Sequence, residues 1–325
     1  MELSRSDRAC DLCGATHAVA VADASAARCR IAVCPGCRLL YASPVLSQAA
    51  LDILYEESFD GDAGSPVRAG SGLPDADKLR SEEKRTTKWA LPIIQRCLAI
   101  EGKQILDLRC RSGALSAALV AHGAHVLSVD PFEANVRYAQ QVRGLSQVTH
   151  LPFSRFHHLG LPCQREWDAV SVLTEHVLAH VVSPRTFLTR IFAVLRPGGY
   201  LFLDEKDVLR PVRYQTRSVF DSGPAHQYHL TVPTTASYLL AVGFELLECE
   251  IDTQRASSHQ HIRVVARKPE LGNASVRDTP ALAGGPTAEE IIQQLRWLER
   301  TWRLSRMQRE ARRTLRRVVR RLRSR

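Results

Sequence analysis

Residues 103–139, KQILDLRCRSGALSAALVAHGAHVLSVDPFEANVRYA, read as a strand, a tight loop, a helix, a second strand ending in an acid, and a second helix. Ile105, Leu106 and Leu108 make a short apolar run. The helix behind it sets Leu115, Ala118 and Leu119 on one face and stops at Gly123, a residue suited to the left-handed turn that closes a helix. Positions 124–129 form the next strand. Asp130 closes that strand, one helix and one strand beyond Gly113, close to where open nucleotide-binding α/β folds set the carboxylate that accepts ribose hydroxyls.

This segment resembles motif I and the following acid of class I S-adenosylmethionine (SAM) dependent methyltransferases. That family's loop reads acid-x-Gly-x-Gly-x-Gly, whereas this chain has Asp107, Leu108, Arg109, Cys110, Arg111, Ser112 and Gly113, so that arginines replace two glycines. Glycine stands there because the backbone turns through positive φ and a Cβ would meet the methionine part of SAM. Each forced left-handed residue costs about 1–2 kcal/mol. Arg109 and Arg111 either point away, toward an acidic partner or a substrate phosphate, or block the pocket; the sequence leaves both open.

Three further segments carry the same resemblance. Trp167, Asp168, Ala169, Val170, Ser171, Val172 and Leu173, followed by Thr174, Glu175, His176 and Val177, resemble the family's "FDvV...EHV" strand. A helix over 184–195 runs into Arg196, Pro197, Gly198, Gly199, Tyr200 and Leu201, similar to its "LkPGG.l" turn. Positions 238–244, YLLAVGF, are similar to its "LL..aGF" segment before a last antiparallel pair at 244–251 and 261–267. The resemblance covers 102–268. It implies an α/β, doubly wound, Rossmann-like sheet of seven strands with the last pair antiparallel. It also implies SAM as cofactor, held by Asp107, the loop with Arg109 and Gly113, Asp130 on the ribose and Phe132 beside the adenine. Glu175 and His176 fall at the carboxyl edge of the sheet, where such folds bind ligands. They and His229, in AHQYHLT, are the candidate catalytic residues, His176 as a general base. Where one branch of the family has a tyrosine before Glu-His, this chain has Leu173.

The N-terminus carries two knuckles, Cys10-x-x-Cys13-Gly14 and Cys34-Pro35-Gly36-Cys37, at the separation of a zinc ribbon. Four thiolates in two knuckles make a closed, structural zinc site. With 39–44 and a helix containing Tyr55 behind it, this resembles the amino-terminal module of the zinc-ribbon methyltransferases, a group that includes C-methyltransferases of nucleotide-linked sugars. The remaining cysteines, Cys29, Cys97, Cys110, Cys163 and Cys249, are scattered, as expected of reduced intracellular thiols.

The 325 residues, 45% hydrophobic, suffice for a full α/β core with appended modules. The expected division is a zinc ribbon (1–45), a helical connector with a flexible stretch at 61–74 (46–101), the methyltransferase domain (102–268), a flexible Gly/Pro/Ala/Ser linker (269–286) and a basic amphipathic helix (287–325). From 287 to 325 there are 13 arginines and 4 glutamates, a net +9 of the formal +10. Ile291, Leu295, Leu298 and Trp302 recur at helical spacing. Three partners compete for this helix: an anionic membrane surface, nucleic acid, and the protein itself or a second copy, with charge alone supporting nucleic acid. Positions 1–30 show no signal-peptide core, which points to the cytoplasm. The expected activity is SAM-dependent methyl transfer to a small molecule, sugar nucleotide or glycan. The alternatives are a non-catalytic descendant that has lost SAM and, ranked lower, an RNA methyltransferase.

Overall fold

The chain is described by a computed structural model over residues 5–6, 8–24, 29–57, 75–152, 155, 166–173, 176–211, 226–252, 259–270 and 286–323. The linkers expected at 61–74 and 269–286 lie outside these residues almost entirely, as does Glu175. Before the central stretch come β1 (Arg5–Ser6), β2 (Val19–Ala24), β3 (Cys29–Val33), β4 (Leu40–Ser43), β5 (Val45–Leu46), α1 (Gln48–Glu57), α2 (Ala76–Arg85), a π-helical turn (Thr86–Ala90) and α3 (Leu91–Cys97). The central stretch forms β6 (Gln104–Leu108), α4 (Ala114–Ala121), β7 (His125–Asp130) and α5 (Glu133–Gln141). There follow β8 (Val148–His150), β9 (Trp167–Val172), α6 (Pro184–Val194), β10 (Leu195–Pro211), β11 (Tyr228–His229), α7 (Val232–Val242), β12 (Glu245–Asp252), β13 (His259–Arg267) and α8 (Ala288–Arg323).

Seven of these strands make one sheet in the order β12-β13-β10-β9-β6-β7-β8. β6, β7, β8, β9 and β10 run parallel, with Leu106 between Leu127 and Val170. β13 runs antiparallel to both β10 and β12. The parallel strands read as continuous apolar runs because helices cover both faces. Leu106, Leu108, Val170 and Val172 pack with α6 and α7, while Ile105, Ala169 and Phe202 pack with α3 and α4. Local signals set the ends: Ser183 caps α6 by accepting from the Thr186 amide, Thr231 and Thr234 cap α7 reciprocally, and Gly243 closes it at φ 106°.

A second sheet, in the order β11-β4-β3-β2, joins distant parts of the chain. Its outer strand is β11, with Tyr228 opposite Tyr41 and His229 opposite Leu40. The N-terminal module is therefore sewn into the larger domain. The Gln227 side chain accepts from the Leu46 amide at 2.6 Å, the Asp11 carboxylate accepts from the Arg185 amide at 3.0 Å, and Cys10, Leu12, Cys34 and Cys37 belong to the same apolar core as Leu106 and Val170.

Alternation along β3 and β4 turns Ile31, Val33 and Leu40 to the other face, where Val21 joins them and α8 lays down Ile291 and Leu295, 2% and 1% exposed. The basic helix is one continuous element whose first turns are core, and Trp297, Leu304 and Met307 lie exposed further along it. Ile291→Ala and Leu295→Ala are each expected to lower unfolding stability by about 2–5 kcal/mol, read as a shifted denaturation midpoint. Unchanged midpoints would mean that α8 does not dock. Among the described residues no helix is long and apolar enough to cross a membrane.

Candidate functional site

The carboxyl ends of β6, β7 and β9 meet at the point where strand order reverses, the place where open α/β sheets bind ligands. The loop leaving β6 keeps the backbone of a glycine loop with arginines in place of two glycines. Arg109 stands at φ 60°, Arg111 at φ 55° and Gly113 at φ 76°. Gly113 also needs the missing side chain, because a Cβ there would come to 2.7 Å from Leu145 Cδ1 and 3.0 Å from Ala139 Cβ. The two strained arginines are held by their surroundings. The Arg111 amide donates to Asp130 Oδ2 at 2.9 Å, the Cys110 amide to the Val129 carbonyl at 3.1 Å, and Arg143 Nε to the Ser112 carbonyl at 2.8 Å.

The two arginine side chains behave differently. Arg109 is 4% exposed and lays its guanidinium over the Phe132 ring, 5.3 Å from the centroid. Its charge also favours the ionised form of Asp130, a fully buried carboxylate that accepts from the Phe132 amide and Asn135 Nδ2, each at 2.9 Å. Burial outweighs these partners and raises the Asp130 pKa. Arg109 thus covers the two residues expected to hold ribose and adenine. Arg111 is only partly buried, and its charge acts on Glu82 of α2.

Glu82 was not legible in the sequence. Its helix, ADKLRSEEKR, reads as a solvated face, yet Glu82 is 4% exposed and both its oxygens lack a hydrogen bond among the described residues. Burial raises its pKa; the charges of Arg111, Arg85 and Arg143 and the nearby Ser112 hydroxyl oppose the rise. Asp107, at the end of β6, is fully buried. Its Oδ2 accepts from Ser116 Oγ at 2.6 Å, and its Oδ1 has no hydrogen bond among the described residues. Burial pushes its pKa up to about 7, with Glu82 and Asp130 adding to the rise. An orphaned, buried carboxylate oxygen at this position is what an incoming ammonium group would satisfy.

Beyond the carboxyl end of β9 three imidazoles converge. His176, just past β9, His180 in the next turn and His226, just before β11, bring one ring nitrogen each to within 4.8 Å of one another. His176 Nε2 lies 3.1 Å from His226 Nε2 and 3.2 Å from Lys206 Nζ on β10. Burial first, and then the charges of Lys206, the two neighbouring imidazoles and Arg109, hold the His176 pKa well below its ordinary value. Arg109 therefore acts on the Asp130 side and the histidine side alike. His229 lies apart from this group: it is paired in β11, buried, and lowered to about 4 by burial. Sequence reasoning singles out His176 but misses His180, although His176-x-x-x-His180 is a spacing that metal-ligating histidines use and was the signal available.

At the N-terminus, Cys10, Cys13, Cys34 and Cys37 gather their sulfurs within 4.8 Å of one another, with Cys10 Sγ 3.3 Å from Cys37 Sγ and Cys13 Sγ 3.5 Å from Cys34 Sγ. Thiolates at about 2.3 Å around a tetrahedral zinc would stand about 3.8 Å apart, so this donor set fits a closed zinc site with a small expansion.

A doubly wound sheet ending in an antiparallel pair, with acids at the ends of its first two strands, is the architecture of a nucleotide-cofactor enzyme. The family described as "Methyltransferase domain" matches residues 81–248, just over half of the chain, and the chain belongs to that family. It is 32% identical over 118 residues to a demethylmenaquinone methyltransferase of Clavibacter sepedonicus, covering 36% of this chain and 46% of that one. It is 31% identical over 113 residues to a ubiquinone biosynthesis O-methyltransferase of Coxiella burnetii, covering 34% and 47%. The chain thus spans about half the length of the curated relatives it matches. A solved structure, the 1,6-didemethyltoxoflavin-N1-methyltransferase of Burkholderia thailandensis with bound S-adenosylhomocysteine, is 18% identical, covers 60% of this chain and 83% of that one, and aligns with a TM-score of 0.46.

Proposed function

We propose that the chain transfers a methyl group from SAM to a small hydroxylated acceptor. The observation that carries this is the pair of buried carboxylates, Asp107 and Asp130, set at the ends of β6 and β7 beside a loop with glycine-type backbone, inside a domain of the methyltransferase family. Asp107 Oδ1 suits the cofactor's ammonium group, Asp130 its ribose and Phe132 the edge of its adenine, so the residues fit SAM in type and place. One side chain stands against it: Arg109 must leave Asp130 and Phe132 before they can be used.

When bound, SAM supplies an electrophilic methyl carbon, and the protein's work is to align an acceptor behind it. A proton acceptor is needed only where the acceptor must lose a proton. His176, kept neutral by burial and by the Lys206 charge, is the candidate. Relatives named for demethylmenaquinone and for ubiquinone biosynthesis support a small-molecule acceptor; sugar nucleotides and glycans are the other acceptors we hold open. We further propose that Cys10, Cys13, Cys34 and Cys37 hold a structural zinc ion, which leaves no open position for chemistry.

The burial of Arg109 favours a second reading, a methyltransferase-fold protein that has lost SAM. Calorimetry of SAM or S-adenosylhomocysteine into the purified chain separates the two. Under the first reading Asp130→Ala weakens binding by about 1–3 kcal/mol, the cost of a lost charge-assisted hydrogen bond, or roughly 5- to 150-fold. A chain that takes up neither compound, with Arg109 present or removed, excludes the first.

A further inference from the structure

We propose that His176, His180 and His226 form a second metal site, distinct from the four cysteines, which takes a zinc-class divalent ion beyond the carboxyl end of β9. Three imidazoles drawn from a strand end, the following turn and the segment entering β11 place their ligand nitrogens within 4.8 Å of one another. His176 and His180 are neighbours in one turn, but His226 comes from 50 residues further along the chain. Two imidazole nitrogens 3.1 Å apart either share a proton or share a cation. Nitrogens bonded at about 2.0–2.1 Å to a tetrahedral zinc stand about 3.3 Å apart, so His176 and His226 are already close to ligand spacing. The centroids of His180 and His226 are 4.4 Å apart and those of His176 and His180 5.0 Å, with ring planes tilted by 42° and 43°. The three ligand nitrogens thus stand close enough together for one ion to be shared among them.

The position of Lys206 supports the same conclusion. Its ammonium group lies 3.2 Å from His176 Nε2, so a cation already sits beside that nitrogen. Lys206 is a flexible competitor for the place rather than a fourth ligand. Imidazole donors select zinc, copper, nickel or iron over magnesium and calcium. Three protein ligands with one open position are the arrangement of reactive zinc, whereas four cysteines are that of structural zinc. An ion here would bind an acceptor oxygen and lower the pKa of its hydroxyl, in place of proton acceptance by His176, whose lone pair the ion would occupy. This role rests on the methyl-transfer reading, but the existence of the site does not.

The test uses the full chain loaded with one equivalent of zinc, which the four thiolates take first, then titrated with cobalt(II) and followed by visible absorption. We expect one further cobalt equivalent, with d–d bands and without the thiolate charge-transfer band that cobalt among cysteines would show. His180→Ala and His226→Ala should each weaken it more than about 100-fold, since even outer-shell partners of ligands are worth about 10- to 100-fold. Lys206→Met should tighten it by about tenfold or more, because a positive charge in contact range is removed. A gain of affinity cannot arise from misfolding, which keeps the test decisive if the histidine variants fold poorly. No cobalt beyond the thiolate site in either wild type or Lys206→Met, or binding indifferent to His180 and His226, overturns the proposal. SAM calorimetry on the same samples shows separately whether the methyl-transfer reading stands.

Discussion

Arg109→Gly is expected to bind S-adenosylhomocysteine at least about tenfold more tightly than the unaltered chain, a gain of about 1.4 kcal/mol or more. Two contributions point the same way. The guanidinium over Phe132 and the charge beside Asp130 must be displaced before ribose and adenine can use those residues, and a cation on an aromatic ring is worth about 0.5–2 kcal/mol. Glycine opens the space of a long side chain that is 4% exposed. Arg111→Gly should change affinity far less, because the Arg111 charge acts on Glu82 of α2. Isothermal calorimetry on the two single variants reads the difference. Equal gains from both, or from neither, would show that Arg109 does not guard the site.

Cys34→Ser should lose one equivalent of zinc and unfold the N-terminal sheet, with a loss that also reaches the main domain. Apparent binding free energies of structural zinc sites are about 10–16 kcal/mol and are folding energy for the segment that carries them. Here the segment shares apolar core with the large sheet, and β11 pairs with β4. The first thermal transition should therefore fall for the whole chain, and positions 8–46 should become sensitive to protease. Metal analysis and calorimetric melting of chelator-free protein check this. A full zinc complement in the variant, or none in the wild type, removes zinc from the account.

How much of this was legible depends on how local each signal is. The central β6-α4-β7-α5 run, the Pro-Gly-Gly turn and Gly243 could be read because hydrophobic period and glycine position are properties of short stretches. Asp107, Asp130 and the cysteine pairs could be read for the same reason. The direction of Arg109 could not, since it is decided by Asp130 and Phe132 beyond the next strand. Glu82 sits among charged neighbours on a helix that looks solvated, and only the loop packed over it makes it a buried acid. The histidine group needs His226 brought back to His176 by β11, a strand too short to carry a period. The basic helix showed its apolar spacing clearly, yet the sheet that receives Ile291 and Leu295 is assembled from distant parts of the chain.

That shared sheet sets an order of events during synthesis. Its first three strands emerge from the ribosome early, its fourth only once Tyr228 and His229 have been made, and the helix that covers its apolar face later still, from Ala288 onward. Chains are made N-terminus first at roughly 5–20 residues per second, so Val21, Ile31, Val33 and Leu40 stay uncovered for roughly 12–50 seconds while the rest is translated. The knuckles with their four thiols can close around metal within that window, long before the sheet is complete. Metal capture would then act as a placeholder, holding a half-built module in register until the far end of the chain arrives to cover it.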